Sequence, residues 1–352
     1  MNGEALIEAY QRFYPTGPEW GEDRLTNHGP MAAEVLVRRG HEAAVGRWVG
    51  TYIRRLDELP PATDPISEES WRAALGDGRR LGDWNEFFTR QLAEQPWQAL
   101  LATWWPRLLP GIAAGATHGV IRTGHVVRTL LAGEENSAAL GELGHALGFW
   151  AARARQVPAA REPSGQLEPQ AALDAVPRIP AQQGGLADRL GQLAGTPGWQ
   201  ASLAALRPAA DPADVPARLA GLVTVATLRY LSHGHGQPVL LVHTATAPNA
   251  VLHTLPALPS EMWSPSLAAV WAAAAAIFSG YAPARGAPPA ELPAPPGGSD
   301  VIGNLVDRAV AHADEHVIKF TDTAAEVFDR TGDPGALAAA ARAASLIPPG
   351  GQ

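Results

Sequence analysis

The chain has 352 residues, 46% of them hydrophobic, with a formal net charge of −8 and a sequence pI of about 5.8. That apolar content can bury a sizeable core, and no extended block of basic residues supplies the footprint of a phosphate-backbone binder, so nucleic acid is not an expected partner. There are no cysteines, which excludes disulfides, thiolate metal sites and iron–sulfur clusters and leaves imidazole and oxygen donors for any metal.

The first residues, MNGEALIEAYQRFYP, are amphipathic and acidic, without an apolar h-region. They read as a helix over about 3–14 and not as a secretion signal. Most periodic segments that follow place Leu, Ala, Val and Ile three or four apart. This predicts helices over about 31–39, 42–58, 84–94, 117–132, 136–155, 183–194, 213–232, 238–255, 265–280, 301–331 and 335–346. The expected fold is all-α, a single multi-helix domain over 1–352. Two stretches rich in Pro, Gly and Ala, about 157–182 and 282–299, are expected as long surface loops. The longest apolar run, LAAVWAAAAAIF from Leu267, is too short and alanine-rich for a membrane span, so a soluble cytoplasmic protein without a membrane partner is expected. A homo-oligomer is compatible with this composition. No Gly-rich dinucleotide fingerprint, P-loop or Gly-x-Ser-x-Gly elbow occurs, so NADPH has no visible seat.

Lys and Arg together number 27, yet the only lysine is Lys319, in DEHVIKFTDT. Heavy Ala, Gly, Pro and Arg usage explains the drift of lysine to arginine but not where the last lysine stays. In the segment from Gly303, the residues Asn304, Arg308, His312, His316, Lys319 and Thr323 draw one polar stripe down a helix. Asp307, Asp314, Glu315 and Asp322 lie off it and offer a competing solvent face. His316 and Lys319 are three residues apart, so their side chains can converge. A buried lysine amine loses its charge near neutral pH and can then act as a base, form a Schiff base, or add CO2 to give a carbamate. Arginine can do none of these.

Other histidines sit in organised settings. His28 in LTNHGPM precedes a helix started by Pro30; GATHGVIRTGH holds His118 and, seven residues later, His125. His243 lies in an apolar helix that Pro248 is expected to kink, beside Thr244 and Thr246. His41, His145, His233, His235 and His253 are assigned no site, HGHG reading as a loop after a helix end. Trp84, Phe87 and Phe88 in DWNEFF and Trp104 and Trp105 in TWW are aromatic enough to wall a substrate pocket, with Trp84, Phe88 and Trp104 the candidates, or to pack a core.

The ordered stretches NHGPMAAEVL, THGVIRTGH, LVHTATAPNAVL and DEHVIKFTDT, spread over nearly the whole chain, resemble the questin oxidase-like proteins. That family contains oxygenases of secondary metabolism that open anthraquinone rings. The resemblance implies an all-helical fold, a polycyclic aromatic polyketide and O2 as substrates, and a mononuclear iron held by four histidines and a carboxylated lysine. Matched motif by motif, it assigns metal ligation to His28, His118, His243, His316 and Lys319, with His125 and His312 as alternates and His316 and Lys319 as catalytic residues. The chain departs from fungal members in having MAAEVL where they carry a second histidine-rich tract, which bears on the substrate. The function so implied is Fe(II)-dependent oxidative ring C–C cleavage or Baeyer–Villiger-like oxidation. A non-catalytic helical carrier of a hydrophobic small molecule and a metal-free lysine-dependent enzyme are the alternatives.

Overall fold

The computed structural model describes residues 3–350, which are helical apart from loops and one antiparallel pair of two-residue strands, β1 (Glu19–Trp20) and β2 (Leu25–Thr26). The all-α expectation holds. Contacts group the chain into two units, the first made of residues up to 156 with 253–259, the second of 157–252 and 260–350.

In the first unit, α1 (Glu4–Phe13), α2 (Gly29–Arg38) and α3 (Glu42–Tyr52) pack on one another. The short α4 (Trp71–Ala74) leads to α5 (Leu81–Glu94) and α6 (Trp97–Leu108), and α7 (His118–Leu131) and α8 (Ser137–Ala152) complete the unit. Helix α8 lies against both α5 and α7. The sequence reading missed α6: Pro96 and Pro106 masked a regular apolar face of Trp97, Leu100, Leu101, Trp104, Trp105 and Leu108, all buried. Pro96 occupies the N-cap position and Pro106 lies inside the last turn, where it costs the helix one amide hydrogen bond without breaking the apolar face.

In the second unit, α9 (Pro169–Asp174), α10 (Leu186–Gly191) and α11 (Trp199–Ala205) are short, and α12 (Val215–His233) is long. They are followed by α13 (Pro238–Leu241), α14 (His243–Thr254), α15 (Trp263–Tyr281), α16 (Val301–His312), α17 (Glu315–Thr331) and α18 (Pro334–Leu346). The stretch 157–182 is less loop-like than its composition suggests. It contains α9, and the Ser279 hydroxyl donates to the Pro177 carbonyl at 2.6 Å while the Ile179 amide donates to the Ser279 carbonyl at 3.2 Å. Helix α15 is, among the described residues, the one helix long and apolar enough to cross a membrane, yet 67% of that stretch is buried within the protein. Trp271 on it donates its indole N–H to the Leu203 carbonyl of α11 at 3.0 Å, so this face of the helix packs inside the protein.

Two helix boundaries correct the sequence reading and both bear on the site. The helix expected over 301–331 is broken: Ala313 adopts a left-handed conformation at φ 63°, and Asp314 accepts from the His316 and Val317 amides at 2.9 and 3.1 Å, capping a new helix. The polar stripe is therefore cut, with Asn304 and Arg308 exposed and His316, Lys319 and Thr323 buried. Glu315 and Asp322, expected on a solvent face, are buried as well. In the helix carrying His243 the interruption falls at Val242, ahead of His243, and Pro248 is accommodated inside α14.

Candidate metal centre

His28 sits in the turn between β2 and α2, and its neighbours in the NHG motif build that turn. The Asn27 side chain donates to the Gly17 carbonyl and the Thr16 hydroxyl at 3.0 and 3.1 Å and accepts from the Gly29 amide at 2.9 Å. Gly29 is required because a Cβ there would collide with the Phe13 ring. The His28 amide donates to the Tyr52 hydroxyl at 2.7 Å, and its ring Nδ1 lies 2.5 Å from the Thr26 carbonyl oxygen.

His118 opens α7 after a tight reversal. Gly115, Ala116 and Thr117 all have positive φ, 50°, 57° and 73°. For a β-branched threonine this conformation costs on the order of 1–3 kcal/mol, a strain that persists only where the surroundings enforce it. The reversal brings the Gly115 carbonyl onto His118 Nδ1. Gly119 lets α7 touch α8: a Cβ there would lie 2.7 Å from Trp150. The His28 and His118 rings are 4.4 Å apart, edge to face.

On the second unit, His243 begins α14 and His316 lies in the first turn of α17, their ring centroids 5.8 Å apart. The Asp314 carboxylate that caps α17 is 3.5 Å from His316 Nδ1. Burial pushes this carboxyl up, but His316 and the two capping amides outweigh that and hold it below the usual range. Lys319, one turn beyond His316, is 1% exposed, and among the described residues its Nζ has no hydrogen-bond partner. Burial lowers its amine to about 7, against the opposing pull of the Glu315 and Asp314 charges.

The four rings form one group. Each of His28, His118, His243 and His316 offers a ring nitrogen within 4.8 Å of the others, and all four are buried. Nitrogens bound to one ion at about 2.1 Å lie about 3–4 Å apart, so a spacing within 4.8 Å is wider than a closed coordination shell but of the same order. A carbonyl oxygen can only accept, so Nδ1 of His28 and of His118 must carry the proton, and Nε2 of each carries the lone pair a metal needs. The donor set is nitrogenous and neutral, which suits a transition metal and not calcium or magnesium. The buried histidine group can hold a metal ion.

A scan against protein-family models finds no match for this chain, and a search of curated proteins finds none.

Other sequence candidates fall elsewhere. His125 places Nδ1 2.8 Å from the Glu34 carboxylate, which also binds Arg128. The Nε2 of His312 faces the Ile347 carbonyl at 3.1 Å. Neither alternate belongs to the histidine group. Trp84, Phe88 and Trp104 are fully buried and pack on one another and on Phe87, with centroids 4.9 to 5.7 Å apart. They form an aromatic core, and Trp84 donates to the Ala74 carbonyl at 3.2 Å. Sequence reasoning missed Thr26 and Gly115, whose carbonyls orient the rings, and Tyr52, which holds the His28 backbone. The two backbone carbonyls leave no mark in residue type, and the reversed backbone at Ala116 and Thr117 is invisible in side chains built for other conformations.

Proposed function

We propose that this chain is an iron-dependent oxygenase, in which His28, His118, His243, His316 and Lys319 hold one iron ion and O2 oxidises a polycyclic aromatic, quinone-type molecule. The reaction is oxidative ring C–C cleavage or a Baeyer–Villiger-like oxidation. The observation that carries the metal part is the convergence of four buried imidazoles, two with their proton committed to a backbone carbonyl. The substrate class rests on the likeness of the four ordered motifs to the questin oxidase-like proteins.

Iron supplies, when bound, the one-electron chemistry that lets O2 react with a closed-shell aromatic. The protein's own contribution is to fix ligands and exclude water. His28 and His118 present Nε2 because Thr26 and Gly115 hold Nδ1–H, and Asp314 stands on the Nδ1 side of His316. Lys319, with an amine at about 7 and no hydrogen-bond partner among the described residues, is suited to take up CO2. Its lone pair forms the N–C bond, one C–O π pair moves onto oxygen, and the displaced proton goes to solvent. The resulting carbamate is an anionic oxygen donor, which four neutral imidazoles lack. Arginine cannot do this.

Anaerobic loading with Fe(II), followed by oxygen and a hydroxylated anthraquinone, tests the reading. Oxygen uptake and a product heavier by one or two oxygen atoms are expected in wild type and not in His243→Ala. Iron binding without uptake on any anthraquinone would remove the substrate assignment. Full activity in Lys319→Arg would remove the carbamate. Lys319 alone also supports a metal-free Schiff-base enzyme, which borohydride trapping with a carbonyl substrate would reveal as a covalent adduct.

A further inference from the structure

Helices α2 and α7 run side by side in the same direction. His28, at the start of α2, lies with its ring 4.4 Å from that of His118 at the start of α7. Six residues along α2, Glu34 reaches across to α7, where His125 is seven residues beyond His118. The Glu34 carboxylate accepts from Arg128 Nε at 2.9 Å and Nη2 at 2.5 Å, and His125 Nδ1 lies 2.8 Å from it. Glu34 is 3% exposed. At 1.5 Å of rise per residue, this cluster is offset from the imidazole pair by about 9–10.5 Å along the helices. The two helices are thus joined twice, once through the histidine rings and once through Glu34.

Stability alone gives little reason to bury a carboxylate there, because an apolar replacement of a buried ion pair is often as stable. What a directional, three-armed carboxylate does that leucine cannot is fix the axial register of one helix on the other. That register sets the distance between His28 and His118. We propose that Glu34 is a positioning residue for the metal centre, holding α2 and α7 so that His28 and His118 present their nitrogens at bonding distance. This rests on the four-histidine metal site. His125 and Arg128 are the α7 side of the clamp.

The test uses full-length, metal-free protein and Co(II) alone as probe, read by its visible d–d absorbance. Loss of a group supporting a ligand costs about ten- to a hundredfold in metal affinity. Glu34→Gln, which acts at one remove, is expected to raise the cobalt Kd about tenfold and to shift the bands. Asp83→Asn is the control: Asp83 is equally buried, accepts from the Thr63 and Asp64 amides at 2.6 and 2.9 Å and binds Arg80, but joins neither α2 nor α7 to anything. It should lose thermal stability while keeping the wild-type Kd and spectrum. A Kd within twofold of wild type in Glu34→Gln, or an equal loss in Asp83→Asn, overturns the positioning role while leaving the metal site standing. Failure of wild type to bind cobalt overturns both. If Glu34→Gln does not fold, Arg128→Gln at the edge of the cluster provides the same readings, with a rise in Kd and shifted bands expected.

Discussion

Replacing Lys319 by Met in metal-free protein, in CO2-free buffer, should raise stability near neutral pH and abolish a pH dependence that wild type shows. The Lys319 amine is fully buried, without a hydrogen-bond partner among the described residues, and its value falls from the ordinary 10.5 to about 7, burial outweighing the Glu315 and Asp314 charges. Below about pH 7 the amine is protonated in both folded and unfolded chains and contributes no slope. Between about 7 and 10.5 the unfolded chain holds a proton that the folded chain has lost. Stability therefore rises with pH, by up to about 1.4 kcal/mol per pH unit. Carried over the whole interval, the penalty for burying the charged form at pH 7 and below is on the order of 5 kcal/mol. Methionine fills a similar volume without a charge, so the variant removes both penalty and slope. Urea melts followed by tryptophan fluorescence at pH 7, 8 and 9 measure the difference between the two proteins, which cancels other groups titrating in this range. Parallel pH profiles, or a methionine variant less stable than wild type at pH 7, would refute the reasoning.

His145 titrates in the opposite pH range. Burial, with Arg122 nearby, lowers it to about 3, so wild type loses stability as pH falls from about 6.5 towards 3, at up to about 1.4 kcal/mol per pH unit, and His145→Leu flattens that acid limb in melts at pH 6, 5 and 4. Gly119→Ala places a methyl 2.7 Å from Trp150 beside His118; a loss of about 1–3 kcal/mol in chemical denaturation and a fall in metal content are expected. Trp104→Ala opens the aromatic core and should cost about 3–5 kcal/mol while the folded fraction keeps its metal, whereas a pocket-wall residue would lose ligand affinity with little change in stability.

The fold class was legible because helical periodicity is local and survives in a chain with few β-branched runs. The limits of α1, α7, α8, α12 and α18 fall within a few residues of the expected ones. The breaks were harder. Ala313 carries no side-chain signal for a left-handed turn, although Asp314 followed by Glu315 is a helix-start pattern that could have divided the long segment. Helix α6 was hidden because prolines at its two ends read as breakers. Among the histidines, local setting singled out His28, His118, His243 and His316, which the structure brings together, but it singled out His125 equally well. What separates His125 from them is its partner: Glu34 is 91 residues away in sequence, and that pairing is created only by folding. The aromatic residues of α5 and α6 show the same limit, since a tryptophan looks alike in sequence whether it faces a ligand or another ring.

Iron content is the most direct measurement of the central claim. Protein purified anaerobically under reducing conditions should hold about one iron per chain, and His118→Ala and His243→Ala should each lose most of it while keeping their helical circular dichroism. Exposed His235 is the proper control, since His145 is buried and its replacement disturbs the core. His235→Ala should bind iron as wild type does. Absence of bound iron after reconstitution, or equal loss in His235→Ala, would contradict a metal centre built on His28, His118, His243 and His316.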